Sequence, residues 1–268
     1  MENYLNLKLK FKKSPIDDND LIYRSDNTKS IREIVDLRSW DTMVEYQGNL
    51  GSCTGSAITS AYELMVKQSY PDQYVELSDL FIYYNARLEE NTLDQDVGIF
   101  VKTGMEVLKN YGVCAETLWP YDIEKWDDKP SDAAYEDAKK RKILKYQKII
   151  STYYMTEVLS DNRPIVFGME IYESFMYLDE HISTVTFPSR KEKSLGGHAM
   201  CMVGYDLEKR LFLAKNSFGT NWGMGGYCWI PFDYLKQEGY DMWIFDIPPQ
   251  TGESNVLSET LPLLPILL

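Results

Sequence analysis

A cysteine, a histidine and an asparagine stand in three distinctive local sequences of this chain. Cys53 follows the glycine-rich approach 47–52 and opens an apolar-periodic run. His198 lies among small residues in Gly-Gly-His-Ala, and Asn216 begins a loop rich in aromatic residues and glycine. A thiol with an imidazole base and an orienting amide is an activated nucleophile. The three sequences therefore predict an enzyme with a cysteine nucleophile.

Each of these residue types has a defined role in such chemistry. Cys53 at a helix start, beside an imidazolium, is expected to be a thiolate, because both effects favour the negative charge. His198 would then protonate the leaving amine, and Asn216 would accept a hydrogen bond from the imidazole N–H and orient the ring. Gln47, six positions before Cys53, would form an oxyanion hole with the Cys53 backbone N–H; one such donor contributes about 10²–10³ in rate.

Composition and charge exclude several classes of protein. The chain has 268 residues and is 44% apolar, enough for one large domain or two small ones. A net charge of −13 argues against nucleic acid as a partner, and we interpret it as a source of solubility. No apolar run approaches the roughly 20 residues that span a membrane. The polar N-terminus lacks the apolar stretch of a classical signal peptide.

The four cysteines do not form the pattern of a disulfide framework or a zinc site. Besides Cys53, we expect Cys114, Cys201 and Cys228 to be structural thiols. The second histidine, His181, lies in a polar stretch and is expected at the surface. A reducing compartment fits best, which predicts a cytoplasmic protein, in the host cytoplasm or virion if the source is a virus.

The remaining pattern predicts the elements that position these residues. Apolar residues at helical spacing predict a helix over 53–68. Further helices are predicted at 77–91, where Ser78 is the N-cap, 99–110 and 131–142. Strand-like runs follow at 165–171, 199–205, 210–215 and 227–230. Helices followed by strands predict an α+β fold with two lobes and an active site in the cleft between them.

Both ends of the chain carry unusual extended segments. Residues 1–35 form a predicted arm in which apolar residues alternate at strand spacing, with lysines between them. Three arrangements fit this pattern: pairing with a sheet edge, lying across a groove, and a loosely held terminus. The tail 247–268 is rich in leucine and proline. We expect it either to pack on the surface of the protein itself or to bind as an extended ligand in a groove of this molecule or of a partner. We expect either segment to cover the cleft in part and act as an autoinhibitor.

The chain resembles the papain family of cysteine peptidases from about Asp36 to Asp246. The most specific matches are Gly197-His198-Ala199, the loop 216–223 and the spacing from Gln47 to Cys53. The resemblance implies a catalytic domain over 36–246, with a helical lobe over about 47–145 and a β-rich lobe over about 146–246. It also implies action on peptides or proteins as endopeptidase or exopeptidase, without a cofactor or metal.

The resemblance further implies where a substrate binds. Residues just before the family histidine line a substrate pocket, and these are Leu195, Gly196 and Gly197 here. Gly98 matches a glycine whose backbone pairs with substrate, and Trp222 of the asparagine loop is assigned to substrate binding as well. The chain departs from the family at Leu50, Thr54 and Phe218, which stand where the family usually has a disulfide cysteine and two tryptophans.

Two alternative functions use the same cleft. One is a cytosolic aminopeptidase of the bleomycin-hydrolase type, in which a C-terminal tail restricts the cleft to chain ends. The other is a non-catalytic papain-like module that binds or scaffolds other proteins. The four residues Gln47, Cys53, His198 and Asn216 favour an enzyme, because a scaffold has no need of them.

Overall fold

A computed structural model of the protein describes residues 4, 7, 9–25 and 30–249. The predictions for most of the tail, 250–268, therefore lie outside the described residues. Within these ranges the chain forms six α-helices: α1 Cys53–Ser69, α2 Asp79–Glu89, α3 Val101–Asn110, α4 Asp132–Ala138, α5 Thr152–Ser160 and α6 Phe232–Glu238. The four predicted helices correspond to α1–α4, and the Ser78 side chain caps α2 as expected by accepting from the Phe81 backbone N–H.

One antiparallel sheet forms the second lobe of this two-lobed α+β fold. Its strands are β1 Ile34–Asp36, β2 Lys145–Ile149, β3 Ile165–Tyr172, β4 Ser194–Asp206, β5 Leu211–Lys215, β6 Tyr227–Pro231 and β7 Gly239–Asp246. Their spatial order is β2-β7-β3-β4-β5-β6, and β1 pairs with β4. The four predicted strands are β3 to β6, with β4 beginning five residues before the predicted position 199.

Helix α1 lies between the lobes, because it packs on α2 and α3 on one side and on β3 and β4 on the other. Thirteen of its seventeen residues are buried, whereas a helix at the surface buries only one face. The catalytic-type cysteine at its first residue is therefore held by both lobes. None of the described helices is long and apolar enough to cross a membrane.

The prediction of a polar helix over 131–142 is wrong at the C-terminal end of the helix. Helix α4 stops at Ala138, and the chain then turns so that the Arg141 carbonyl accepts a hydrogen bond from the Val113 N–H at 3.2 Å. This contact with a distant segment replaces the helical hydrogen bonds that residues 139–142 would have made.

The side chains outside the site follow the expectations for them. Cys114, Cys201 and Cys228 are free thiols with exposures of at most 1%. Burial raises the pKa of all three, which is consistent with the expectation of structural thiols. The His181 side chain is 83% exposed, as predicted for a surface residue.

A buried ion pair joins β5 to the segment that leads to Gln47. The Lys215 Nζ lies 2.9 Å from the Asp41 Oδ1, and both side chains are 1% exposed. The Tyr227 hydroxyl donates to the other Asp41 oxygen at 3.0 Å. Since Lys215 precedes Asn216 directly, the pair holds the predicted orienting residue and the glutamine segment together.

Replacing Lys215 by methionine is expected to lower the free energy of unfolding by about 3–5 kcal/mol, because Asp41 would be left as an uncompensated buried charge. Denaturant unfolding near neutral pH measures the effect. The control is Lys209→Met, which removes an exposed partner from Asp206 and should cost less than about 1 kcal/mol. Equal, small losses in both variants would contradict a structural role for the buried pair.

Buried carboxyl groups lie near this ion pair at the lobe interface. Glu63 of α1 is 4% exposed and accepts a hydrogen bond from the Leu77 backbone N–H at 2.7 Å. Burial raises the pKa of Glu63 to about 7 and that of Asp79 to about 6. At these two groups the native state therefore binds more protons than the unfolded state between about pH 4 and pH 7.

A raised carboxyl pKa contributes stability that is fully present below the unfolded pKa and is lost as pH rises through the folded pKa. Glu63→Gln keeps an acceptor for Leu77 but cannot ionise. Relative to wild type, this variant should gain about 2–3 kcal/mol of stability between about pH 5 and pH 8. Urea unfolding of both proteins at several pH values checks this, and parallel profiles would show that Glu63 ionises normally in the fold.

Candidate active site

Cys53 is the first residue of α1, where unpaired backbone N–H groups favour a negative charge. The preceding residue, Ser52, does not cap the helix with its side chain; its hydroxyl lies 2.6 Å from the Tyr121 hydroxyl instead. Gly48 in the approach has φ +57°, a left-handed conformation that few other residues adopt. The segment 47–52 can therefore turn tightly and place the thiol at the helix start.

His198 and Asn216 come from neighbouring strands of the sheet. His198 lies within β4, and Asn216 follows the last residue of β5, where Lys215 pairs with Cys201 of β4. This pairing brings the two side chains to one end of the hairpin. The His198 Nε2 lies 2.6 Å from the Asn216 Oδ1, and both residues are buried.

The hydrogen bonds define which imidazole nitrogen carries the proton. The Asn216 Oδ1 also accepts from the Ser217 backbone N–H at 2.8 Å, so this atom is the amide carbonyl. An amide carbonyl only accepts, so the His198 Nε2 must donate and the neutral ring keeps its lone pair on Nδ1. Among the described residues, Nδ1 has no hydrogen-bond partner. It is thus available as a base.

The thiol lies next to the strand that carries this base. Cys53 is 1% exposed, and the backbone N–H of Ala199, the residue after His198, lowers the pKa of its thiol. The structure therefore places the predicted nucleophile beside the strand that carries the predicted base, and no hydrogen bond joins Cys53 to the His198 Nδ1.

Gln47 is fixed from both sides. Its side-chain oxygen accepts from the Ser217 hydroxyl at 2.6 Å, and its amide nitrogen donates to the Leu50 carbonyl at 2.8 Å. Its backbone N–H donates to the Ser217 carbonyl at 2.9 Å. Gln47 is thereby tied to the asparagine loop, and its amide keeps a second N–H.

Aromatic rings cover the histidine–asparagine bond. The Phe218 ring centroid lies 4.8 Å from that of His198, and Trp222 packs on Phe218 at 5.6 Å. The indole N–H of Trp222 donates to the Phe175 carbonyl at 3.2 Å, and the side chain is fully buried. Trp222 thus supports Phe218 in this structure, and its contact with a substrate stays a prediction.

Burial controls the protonation of the reactive pair. It raises the pKa of the Cys53 thiol to about 11, although the Ala199 N–H lowers it, and it lowers the pKa of His198 to about 4. Burial thus favours the neutral form of both groups in this state. Burial therefore opposes the effect of the helix N-terminus here, and the thiolate stays a prediction.

The N-terminal arm provides the cover. The Tyr4 ring stacks on Phe218 with centroids 6.0 Å apart, and the Phe11 backbone N–H donates to the Gly197 carbonyl at 3.3 Å. Between these contacts, Lys10 lies against Gly98. Residues 9–12 of the arm are therefore an extended segment that lies in the cleft and forms isolated bridges, whereas the end of the arm enters strand β1.

Three of the predicted substrate-binding residues contact the arm directly. A Cβ at Gly98 would overlap the Lys10 carbonyl, one at Gly196 would lie 3.0 Å from the Leu9 carbonyl, and one at Gly197 would lie 3.1 Å from the Phe11 ring. Leu195 is partly buried at the start of β4. The three glycines thus allow an extended chain to approach the cleft floor.

Other cleft residues were not indicated by the sequence. Asp96 and Glu90 of the helical lobe bind arm lysines, and Tyr240 packs on Phe11. Tyr240 belongs to β7, which was not predicted, and neither carboxylate stands in a recognisable motif. The one available signal was the position of Asp96 two residues before Gly98.

The sequence profile described as papain family cysteine protease matches residues 31–240. The chain belongs to this family. It is 39% identical over 234 residues to an uncharacterized peptidase C1-like protein of Acanthamoeba polyphaga mimivirus, covering 81% of this chain and 75% of that protein. It therefore shares most of its length with a viral member of the papain family.

Solved structures agree with the family assignment. Xylellain, a cysteine protease from Xylella fastidiosa, superposes with a TM-score of 0.81 at 30% identity, over 91% of this chain and 97% of that one. In a comparison of sequences, pro-cathepsin H of Bos taurus is 27% identical over 202 residues, which are 70% of this chain and 56% of that protein. The papain-like chain is thus a peptidase with the family's two-lobed fold.

Proposed function

We propose that this papain-family peptidase cleaves peptide bonds with Cys53 as nucleophile, His198 as acid and base, Asn216 as the residue that orients His198, and Gln47 in the oxyanion hole. One observation carries the proposal. The His198 Nε2 is bound to the Asn216 carbonyl oxygen at 2.6 Å, which leaves Nδ1 as a buried lone pair without a partner among the described residues, next to the helix-start cysteine.

The reaction follows from these positions. The Cys53 proton passes to the His198 Nδ1, and the sulfur attacks the substrate carbonyl carbon. The Cys53 backbone N–H and the Gln47 side-chain amide stabilise the oxyanion that forms. When the C–N bond breaks, His198 protonates the departing amine and a thioester remains. Water, deprotonated by His198, attacks the thioester, so that the carboxylic acid leaves and the thiol is restored.

The state with the arm in the cleft is proposed to be latent. Support comes from the arm contacts with Gly98, Gly196 and Gly197 and from the burial of Cys53, which keeps its thiol neutral. An uncovered site readmits water and substrate, which removes the main cause of the raised thiol pKa. We propose that a reducing cytoplasm is the working compartment, since the four cysteines are free thiols.

The test is labelling with an epoxysuccinyl probe across pH, read by intact mass. The proteins are wild type, Cys53→Ala and a full-length variant with Lys10, Phe11 and Lys12 all replaced by alanine, here called the cleared variant. The cleared variant should take up one probe molecule rapidly even below about pH 6, as a His-paired thiolate does. Wild type should react slowly, and Cys53→Ala not at all.

Labelling of the cleared variant that follows an ordinary thiol pKa would overturn the proposed site. Peptides with a blocked or a free N-terminus then separate the modes of cleavage. Cleavage of blocked peptides is expected for an endopeptidase, whereas strict dependence on a free amine would assign the chain to the aminopeptidase alternative.

A further inference from the structure

The residue before the nucleophile stands where a helix is normally capped. Ser52 is the N-cap residue of α1, and a serine at this position usually accepts a hydrogen bond from the N–H of the second or third helical residue. Here those two donors belong to Thr54 and Gly55, and the Ser52 side chain binds neither of them. The backbone of Ser52, with φ −91° and ψ 9°, also departs from the extended conformation of a usual N-cap. Helix α1 therefore begins without the cap that its sequence offers.

The buried Ser52 hydroxyl is bound to Tyr121 instead. The two hydroxyl oxygens lie 2.6 Å apart, and the Tyr121 hydroxyl also lies 2.9 Å from the Gln47 backbone carbonyl oxygen. A carbonyl oxygen only accepts, so the single Tyr121 proton goes to Gln47, and Ser52 donates its own proton to Tyr121. The three groups thus form a directed chain of hydrogen bonds from Ser52 through Tyr121 to Gln47.

Tyr121 has its own anchors in the helical lobe. Its backbone N–H donates to the Glu116 side chain, and the Trp119 carbonyl, two residues earlier, accepts from the Ser78 hydroxyl at 2.6 Å. Ser78 is the N-cap residue of α2, which packs on α1. The position of Tyr121 is therefore set by the helical lobe, independently of the groups that its hydroxyl binds.

This hydroxyl bears on both proposed donors of the oxyanion hole. The peptide plane between Ser52 and Cys53 carries the Cys53 N–H, so the ψ angle of Ser52 determines where that N–H points. Gln47 is held at its carbonyl oxygen by the same hydroxyl. Donors that are aligned before the oxyanion forms stabilise it without reorganisation. The two oxyanion donors are thus positioned from one common group, Tyr121.

The uncapped helix start also leaves N–H groups to the reactive sulfur. Burial has the largest effect on the pKa of the Cys53 thiol and raises it, whereas the backbone N–H groups of Ala199 and Thr54 lower it. A Ser52 side chain in the capping position would compete for such donors, the Thr54 N–H among them. Because Ser52 donates to another residue instead, this competition is absent.

We propose that Tyr121 is a positioning residue of the peptidase: its hydroxyl withholds Ser52 from capping α1, which fixes the Cys53 N–H for the oxyanion and leaves the first turn of the helix to the thiolate. The inference rests on the proposed function, because it concerns the same nucleophile and the same oxyanion hole. Tyr121 acts through Ser52 and Gln47 rather than on the substrate.

Tyr121→Phe in the cleared variant removes the hydroxyl and keeps the ring. Ser52 is then free to become extended and cap α1, so that the thiolate loses the Thr54 N–H and the Cys53 N–H changes direction. The pH midpoint of alkylation by iodoacetamide, read by intact mass, should rise by about one unit. The kcat for an N-blocked fluorogenic peptide should fall about tenfold, with KM within about twofold, because the lost alignment matters in the transition state.

A second substitution separates positioning from support of the fold. Ser52→Ala removes the side chain that would form the cap, so adding it to Tyr121→Phe should reverse most of the shift in the alkylation midpoint. A shift that came from a loosened fold would instead grow when a second buried hydroxyl is removed. The control is Tyr135→Phe, which removes a hydroxyl that donates to Asn85 at 2.8 Å elsewhere in the helical lobe. It should change neither the midpoint nor kcat.

An unchanged midpoint or an unchanged kcat in Tyr121→Phe would overturn the inference, and so would a shift that Ser52→Ala does not reverse. Failure of the cleared variant to cleave any peptide would refute the proposed function instead. The alkylation midpoints require no catalysis, so they would still decide whether Tyr121 controls the helix start.

Discussion

Replacing Cys53 by alanine is expected to lower kcat/KM by about 10⁵–10⁶-fold, because no other group at the site can form the thioester. The side chain is small and lies at a helix start, so the fold should survive with a loss of about 1 kcal/mol. The measurement is hydrolysis of a fluorogenic peptide by the cleared variant with and without the substitution, at matched amounts of folded protein.

Cys228→Ala is the matched control. It removes another buried thiol, on β6, and should leave kcat/KM within about twofold. A Cys53→Ala protein that keeps a few per cent of the activity would show that the thiol is not the nucleophile. Asn216→Ala should act more weakly than Cys53→Ala, because it removes only the group that orients His198.

The residues of the proposed site were predictable because each stands in a short, distinctive sequence. Their positions in the fold depend on α1 and on the β4–β5 hairpin. Both elements have apolar residues at regular spacing, which the local sequence reveals. The hydrogen bond from His198 to Asn216 joins residues only 18 positions apart. Local pattern and tertiary placement therefore agree in this part of the chain.

Other elements escaped prediction for identifiable reasons. Strand β7 begins with Gly239, and Asp241 within it has φ +52°, which interrupts the alternation of a regular strand. Helix α5 contains aromatic and β-branched residues that favour strands when judged alone. Both elements are buried against other parts of the fold, so packing rather than local preference decides their structure.

The charge state of the site was not accessible from sequence either. A cysteine at a helix start predicts a thiolate, whereas burial of Cys53 in the fold raises the pKa of its thiol. The partners of the arm lysines lie far away in the chain: Asp96 is 86 residues from Lys10, and Glu90 is 78 residues from Lys12. Alternating lysines can predict an extended segment, but they cannot identify the groove that binds it.

Emptying the cleft is expected to raise kcat/KM by about 10²–10³-fold over wild type. Burial of the Phe11 ring contributes about 2 kcal/mol to the closed state, and the two partly buried lysine pairs about 0.5–1 kcal/mol each. A total of about 3–4 kcal/mol in favour of the closed state lowers the fraction of open enzyme by about 10²–10³-fold, and kcat/KM of wild type is expected to fall by the same factor. The comparison is between wild type and the cleared variant on one N-blocked fluorogenic peptide.

The control carries Ile16→Ala and Asp18→Ala, two exposed positions of the same arm, and should retain the wild-type rate. A synthetic peptide with the arm sequence 4–14 should inhibit the cleared variant in trans. Salt at about 1 M shortens the screening length to about 3 Å and should activate wild type severalfold, because it weakens the two lysine pairs, but should not activate the cleared variant. Equal rates for wild type, control and cleared variant would mean that the arm opens freely and that the enzyme is not latent.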